Sequence, residues 1–167
     1  MKGLAMGSKD VKLCDFVIKD AIVPDLAAKD RNGVIKELVQ SLARAGAVDE
    51  AIAGELVAEI IKRETKGSTG FGKGVAVPHA KHAGLKKMVG VVGRSSPGVD
   101  FASLDKQPVY SFFLLLSPLS EAEKHLAAMN AIFGNLQVDM FRKFLRQSDT
   151  QQKIWELLEE ADQSARV

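Results

Sequence analysis

R-E-T-K-G-S-T-G-F-G-K-G-V-A-V-P-H-A-K, residues 63–81, packs Gly67, Gly70, Gly72 and Gly74 into eight residues and ends just past Pro78-His79. Glycines let the backbone take positive φ and leave amide N–H groups free, so such a loop can form an anion-binding concavity. Val77 precedes a proline and is pushed into extended geometry, while Pro78 fixes its own φ and lacks an N–H. The pattern predicts a short strand over residues 75–77 that stops at a rigid corner, with the His79 imidazole presented just beyond it. An anion cradle beside an imidazole suggests phosphate chemistry. A glycine-rich turn without a ligand is the plainer alternative for the loop taken alone.

Residues 67–74 nearly spell a P-loop, but Gly74 stands where that motif needs a Ser or Thr for magnesium. The context is also reversed. A P-loop follows a strand and opens a helix, whereas this loop follows a helical pattern and opens V-A-V-P. Nucleotide binding through this loop is therefore not expected.

Upstream, Val34, Leu38, Leu42 and Ala45 share one face of a helix over residues 31–45, with Gly46 as its stop. A second helix starts after Asp49, a good N-cap, and runs through Lys62, with Ile52, Leu56 and Ile60 as its stripe. Arg63 and Glu64 fall in its last turn, which points Arg63 at the glycine loop. Residues 15–25 read as a short helix or turn followed by an edge strand.

Downstream, residues 86–94 read as a strand closed by the turn cluster Ser95-Ser96-Pro97-Gly98. The apolar run V-Y-S-F-F-L-L-L, residues 109–116, reads as a strand buried on both faces. Ser120 and Glu123 form a capping box for a helix carrying His125, Leu126, Met129 and Phe133. Two further helices are expected over residues 138–146 and from Ser148 or Asp149 to Glu160. Helices on both sides of the strands in sequence predict an α/β fold, a three-layer α/β/α sandwich with a mixed sheet.

The chain has 167 residues, enough for one domain with a substantial core. We expect a flexible N-terminus over residues 1–10, the domain over 11–163 and a tail over 164–167. The net charge of +2 gives no reason to invoke nucleic acid or a membrane surface as partner. Cys14 is the single cysteine, which excludes an internal disulfide and fits a reducing compartment. Its apolar neighbours Leu13, Phe16 and Val17 mark it as a small buried or half-buried thiol, not a nucleophile. With no apolar run near the ~20 residues of a membrane helix and no secretory segment, direct membrane insertion is not expected and the location is read as cytoplasmic.

The histidines are His79, His82 and His125. A neutral imidazole is a good nucleophile near pH 7, with an ordinary pKa of ~6.5. Phosphoryl transfer needs positioning and charge stabilisation more than covalent help. Arg63 offers a permanent planar cation for phosphate oxygens, although a cation in a last helical turn is also favoured by the macrodipole. The phosphate-binding candidates are Ser68, Thr69, Gly70 and Gly72, through hydroxyls and loop amides. His125 lies where a helix leaves the carboxyl end of the buried strand, an edge at which sites collect in layered α/β folds. His82 sits in a Lys-His-Ala-Gly turn and is expected to be exposed and dispensable. Metal binding by the three histidines is disfavoured, because no cysteine or carboxylate ligands accompany them and Pro78 opposes a helical pair.

Arg63-Glu64 followed by G-S-T-G-F-G-K-G-V-A-V-P-H, residues 67–79, resembles the active-site segment of fructose/mannitol-type enzyme IIA domains of the bacterial phosphotransferase system. Within that family it is most similar to the nitrogen-regulatory enzyme IIA proteins. V-D-F-A-S-L-D-K-Q-P-V, residues 99–109, and E-K-H-L, residues 123–126, continue the resemblance, which covers residues 11–163. It implies that His79 is the phosphorylated residue, on Nε2, with His125 as second active-site histidine and Arg63 on the phosphoryl group. It further implies a phosphocarrier loaded by a small HPr-like carrier protein, needing no cofactor, metal or nucleotide. The group would pass to an enzyme IIB or signal to a regulatory target such as a kinase or transporter. Ala80 and His82 depart from the residues usual in the family, a glycine and an apolar residue. No glycine-rich cysteine loop or membrane segment marks a IIB or IIC part, which favours a stand-alone regulator over a permease arm. The competing reading is a regulatory module that acts on a kinase or transporter by contact alone.

Overall fold

The computed structural model describes residues 10–164. Apart from Asp10 and Ser164, the tails expected at 1–10 and 164–167 lie outside the described residues. The elements in order are α1 (Leu13–Phe16), a 3-10 turn (Lys19–Ala21), α2 (Arg31–Arg44), α3 (Glu50–Lys66), β1 (Gly70–Gly72), β2 (Val75–Ala76) and β3 (His79–His82). They continue with β4 (Val89–Val99), β5 (Val109–Pro118), α4 (Ala122–Leu136), α5 (Asp139–Gln147) and α6 (Gln151–Ser164).

β5 is the centre of the sheet. Along one edge it pairs in parallel with β2 and then with β3, and β1 adds antiparallel to β2. Along the other edge it pairs antiparallel with β4. The sheet is therefore mixed, as the order of elements predicts. Phe112, Leu114 and Leu116 of β5 face one way into a core with Leu38, Leu42, Leu56 and Ile60 of α2 and α3. Phe113 and Leu115 face the other way, against Ile132 of α4, Leu145 of α5 and Leu158 of α6. That period-two division of an all-apolar strand makes the three layers, helices on each side of one sheet. Gly90 of β4 has no side chain because Phe16 of α1 lies against it, where a Cβ would stand 2.9 Å from the ring.

The helix starts at Asp30 and Asp49 are capped as such residues should be. Asp30 accepts from the Gly33 amide at 2.7 Å and Asp49 from the Ala51 amide at 2.9 Å. Gly46 takes φ +78° just past α2.

Four expectations are corrected. Residues 15–25 form no strand of their own. Val17 and Val23 make single parallel bridges to Gly90 and Gly93, so the segment covers the free edge of β4 without joining it. Ser95-Ser96-Pro97-Gly98 does not end its strand. β4 continues to Val99, and its register jumps between Arg94, opposite Ser111, and Val99, opposite Val109. The turn-forming residues are absorbed as a bulge because β5 remains available as a partner on both sides of them. Ser120 does not cap α4. β5 extends to Pro118, the Glu121 amide closes a turn onto the Pro118 carbonyl, and Glu121 is left at the N-cap without a side-chain cap bond. Finally, His79 does not lie beyond the end of a strand. Pro78 interrupts β2 only briefly: its carbonyl accepts from the Leu115 amide at 3.0 Å, and β3 resumes on the same edge of β5 at His79.

No helix among the described residues is long and apolar enough to cross a membrane.

Candidate active site

β2, β3 and β5 run parallel, so His79 in β3 and Ser117 in β5 both lie towards the carboxyl end of the sheet. The chain leaves β5, turns, and sends α4 back over this edge with His125 in its first turn. The rings of His79 and His125 come within 5.6 Å of each other, centroid to centroid, at a tilt of 52°. α3 ends beside them, and Arg63 lines the same cavity of about 670 Å³ as the two histidines. Residues spread over some sixty positions of sequence are thus brought together.

His79 has a fixed tautomer. Its Nδ1 lies 2.8 Å from the carbonyl oxygen of Val77. A carbonyl only accepts, so Nδ1 carries the proton and Nε2 carries the lone pair. The extended geometry that Pro78 imposes on Val77 is what aims this carbonyl. Burial of the His79 ring lowers its pKa below the usual 6.5, and the charges of Arg63 and Lys81 push the same way, against the Val77 bond and Glu64. The ring is neutral at pH 7.

His125 is 7% exposed, and its Nδ1 sits 2.7 Å from Oγ of Ser117, which is wholly buried. Burial, then His79, then Lys81 lower its pKa to about 4. It too is a neutral imidazole at pH 7. In the tautomer in which Ser117 donates to Nδ1, the proton of the neutral ring is on Nε2, where it faces an acceptor in the cavity.

Arg63 directs Nη1 to the Gly67 carbonyl at 3.2 Å, spanning the helix end and the loop. Lys62, Lys66 and Lys81 line the cavity with it, against the single carboxylate of Glu59. The cavity therefore favours an anion. Leu126, Met129 and Phe133 of α4 supply an apolar wall, and Leu126 is 62% exposed.

The glycine loop is built differently from the hydroxyl cradle expected of it. Ser68 donates its hydroxyl to the Phe101 carbonyl at 2.9 Å and accepts from the Gly70 amide. Thr69 donates its hydroxyl to Oε1 of Glu64 at 2.8 Å, and its amide donates to Oε2 at 2.7 Å. Gly70 pairs with Ala76, and Gly72 takes φ +117° against the Asp105 side chain. The hydroxyls of Ser68 and Thr69 and the amide of Gly70 are thus occupied in holding the loop together. None of these four residues lines the histidine cavity.

His82 is neither exposed nor in a turn. It ends β3 with its side chain 17% exposed; Nδ1 accepts from the Gly84 amide at 2.9 Å, and Nε2 stands 3.4 Å from Oε1 of Glu55. It stays apart from the other two histidines. Cys14 is half-buried at the start of α1, and burial and Asp162 raise its thiol pKa to about 12, which makes it a poor nucleophile.

The roles of three groups escaped the sequence reading, although Glu64 itself stands in the motif. Glu64, 3% exposed, anchors Thr69 from the last turn of α3. Ser117 orients His125, and the Val77 carbonyl orients His79. Ser117 had left a trace, a hydroxyl at the end of an otherwise apolar run. A backbone carbonyl leaves none.

Residues 15–161 match the family model described as "Phosphoenolpyruvate-dependent sugar phosphotransferase system, EIIA 2". The "Nitrogen regulatory protein" of Bradyrhizobium diazoefficiens is 34% identical over 146 residues, 87% of this chain and 94% of that protein. The "PTS system fructose-specific EIIABC component" of Bacillus subtilis is 31% identical over 152 residues, 91% of this chain but only 24% of that longer protein. Among solved structures, nitrogen regulatory protein IIA-Ntr from Neisseria meningitidis superposes with a TM-score of 0.78 at 27% identity, covering 86% of this chain and 97% of that one.

Proposed function

The chain belongs to the EIIA type 2 family of the phosphoenolpyruvate-dependent phosphotransferase system, and we propose that it is a phosphocarrier loaded on His79. The observation that carries this is the Val77 carbonyl on Nδ1 of His79, which leaves the Nε2 lone pair on a neutral ring in a cationic cavity.

The donor is the phosphohistidine of a small HPr-like carrier protein. Nε2 of His79 attacks the phosphorus as the donor's P–N bond breaks. The donor ring, protonated on its other nitrogen, keeps the bonding pair and leaves as a neutral imidazole, and His79 takes over the phosphoimidazolium form. No proton has to move, because Nδ1 of His79 is already protonated and stays so against Val77. The transferred group is strongly anionic, and Arg63 meets it with a planar fork while Lys62, Lys66 and Lys81 supply further positive charge. His125 donates from Nε2 to a phosphoryl oxygen and is held for that by Ser117. Ser68, Thr69, Gly70 and Gly72 act one step back, by fixing the loop that carries the Gly67 carbonyl to Arg63. The exposed apolar wall of α4 around Leu126 offers the carrier protein a docking surface beside the nucleophile.

The phosphoryl group then passes to an enzyme IIB partner, or its presence is read by a regulatory target. The relatives include both kinds, an EIIABC component and a nitrogen regulatory protein.

The deciding measurement is intact mass after incubation with phosphoenolpyruvate, enzyme I and an HPr-like carrier. One added phosphate, labile in acid and stable in base, supports transfer. An unchanged mass with all components active would leave only a module that regulates by contact.

A further inference from the structure

A second cationic cleft, larger than the histidine cavity at about 880 Å³, lies at the other end of the sheet. Ser111 of β5 lines it, whereas Ser117 of the same strand belongs to the histidine site. Six residues of strand put the two sites about 20 Å apart at ~3.3 Å per residue. Its volume is within the range of small-molecule pockets, ~300–1,000 Å³.

Cations gather here as they do at the histidine cavity. Lys73, Arg94, Arg142, Lys143 and Arg146 line the cleft against Asp105 and Asp139. That is a net of three positive charges in one concavity, on a chain whose whole net charge is +2. Two of the cations are committed to structure. Arg94 donates to the carbonyls of Arg146 and Pro24, and Arg142 donates to the Leu136 carbonyl and pairs with Asp139. Lys73, Lys143 and Arg146 make no side-chain hydrogen bond or ion pair among the described residues.

Arg146 stacks on an aromatic ring. Its guanidinium carbon lies 3.5 Å over the centroid of the Tyr110 ring. That ring is closely packed against Gly74 and Gly98, since a Cβ would stand 3.3 Å from it on Gly74 and 2.8 Å on Gly98. Stacking occupies one face of the guanidinium and leaves its N–H edges without a protein acceptor. A planar donor stacked on a ring, two exposed ammonium groups and a concave shape suit a multivalent phosphate ester.

We propose that this cleft binds a small metabolite carrying a diphosphate or longer phosphate chain, independently of the histidine site. Lys73 and Gly74 lead directly into β2, and no residue is shared between the cleft and the histidine cavity.

The test uses the full chain and two probes, pyrophosphate and ATP, with inorganic phosphate as comparison, followed by calorimetry and amide chemical shifts at low ionic strength. Saturable one-to-one binding of pyrophosphate is expected, with shifts at Lys73, Gly74, Tyr110 and Arg146. Affinity should fall at least ~10-fold in Lys143→Gln/Arg146→Gln and stay unchanged in His79→Ala/Arg63→Ala. Melting temperatures of both double variants are checked alongside. Equal affinity for ATP and pyrophosphate means the phosphates alone are read, and tighter ATP means the base also contacts the wall; both support the site. The proposal is overturned by shifts confined to Arg63, His79 and Lys81, by equal affinity for phosphate and pyrophosphate, or by full affinity in Lys143→Gln/Arg146→Gln. A phosphopeptide or oligonucleotide binding ~10-fold tighter than either probe would overturn the small-molecule assignment.

Discussion

Nδ1 of His79 is tied to the carbonyl of Val77, two residues back, at 2.8 Å. Pro78 lies between them and favours an extended Val77, which directs the Val77 carbonyl at the ring. Phosphorylation is therefore expected on Nε2, with Nδ1 still protonated. Ring nitrogen shifts of the phosphorylated protein check this directly, and a phosphate on Nδ1 would refute the assignment. His79→Ala should take up no phosphate and melt close to the parent chain, since the ring belongs to no apolar cluster.

His125 should matter more to the fate of the phosphoryl group than to its arrival. Its replacement by Ala removes one hydrogen bond to a charged group, worth ~1.5–3 kcal/mol, or roughly one to two decades in the affected step. His125→Ala is expected to load but to transfer onward slowly or lose phosphate early. Forward and reverse rates equal to those of the parent would take His125 out of the site.

The depressed pKa of His125 also makes a statement about stability. Its folded value is about 4, while an unfolded chain gives ~6.5. Between these values the unfolded chain binds more protons, so stability rises with pH. The contribution is complete above ~6.5 and is lost as pH falls towards 4, at no more than ~1.4 kcal/mol per pH unit from this one group. Denaturant midpoints at pH 7 and pH 5 should differ less in His125→Gln than in the parent. Loading of His79 acts on the same equilibrium: an adjacent phosphoryl dianion should raise the His125 midpoint in a proton-shift titration.

The histidine pair and Arg63 were legible because their signals are local: a proline before His79, a helix end before the glycine loop, a helix after a buried strand. What orients them was not. Ser117 and Val77 act through register and backbone direction, which exist only once β3 and β5 are paired. The loop hydroxyls misled for a related reason. Ser68 and Thr69 look like free donors in sequence, but Phe101 and Glu64 are brought to them by the fold. Ser95-Ser96-Pro97-Gly98 has turn composition, and only the presence of β5 opposite turns it into a bulge. The Ser120–Glu123 spacing fits a capping box, but the strand before it runs on to Pro118 and moves the helix start.

Glu64 tests the claim that the loop is held from within. It is buried at the end of α3 and accepts both the amide and the hydroxyl of Thr69. Glu64→Ala leaves two donors without a partner, at a cost of ~1–3 kcal/mol for an unsatisfied buried group. A lowered melting temperature and slower loading of His79 are expected together, because the same loop holds Gly67 against Arg63. Loss of stability with unchanged loading rates would separate the loop from the phosphoryl site.

Arg63 has two possible duties, and lysine divides them. The guanidinium donates to the Gly67 carbonyl at 3.2 Å, just past the helix, and it is exposed on the cavity side. As a helix-terminal cation it contributes at most ~1 kcal/mol, which Arg63→Lys largely keeps because the charge remains. As a phosphate clamp it depends on planar, two-pronged geometry that an ammonium lacks. Arg63→Lys should therefore melt near the parent temperature yet transfer phosphate at least ~10-fold more slowly, the effect of ~1.4 kcal/mol on a barrier. Arg63→Ala is the control for loss of charge. If Arg63→Lys transfers at the parent rate while Arg63→Ala melts early, the arginine serves the helix end alone, and the charge that meets the phosphoryl group must come from Lys62, Lys66 and Lys81.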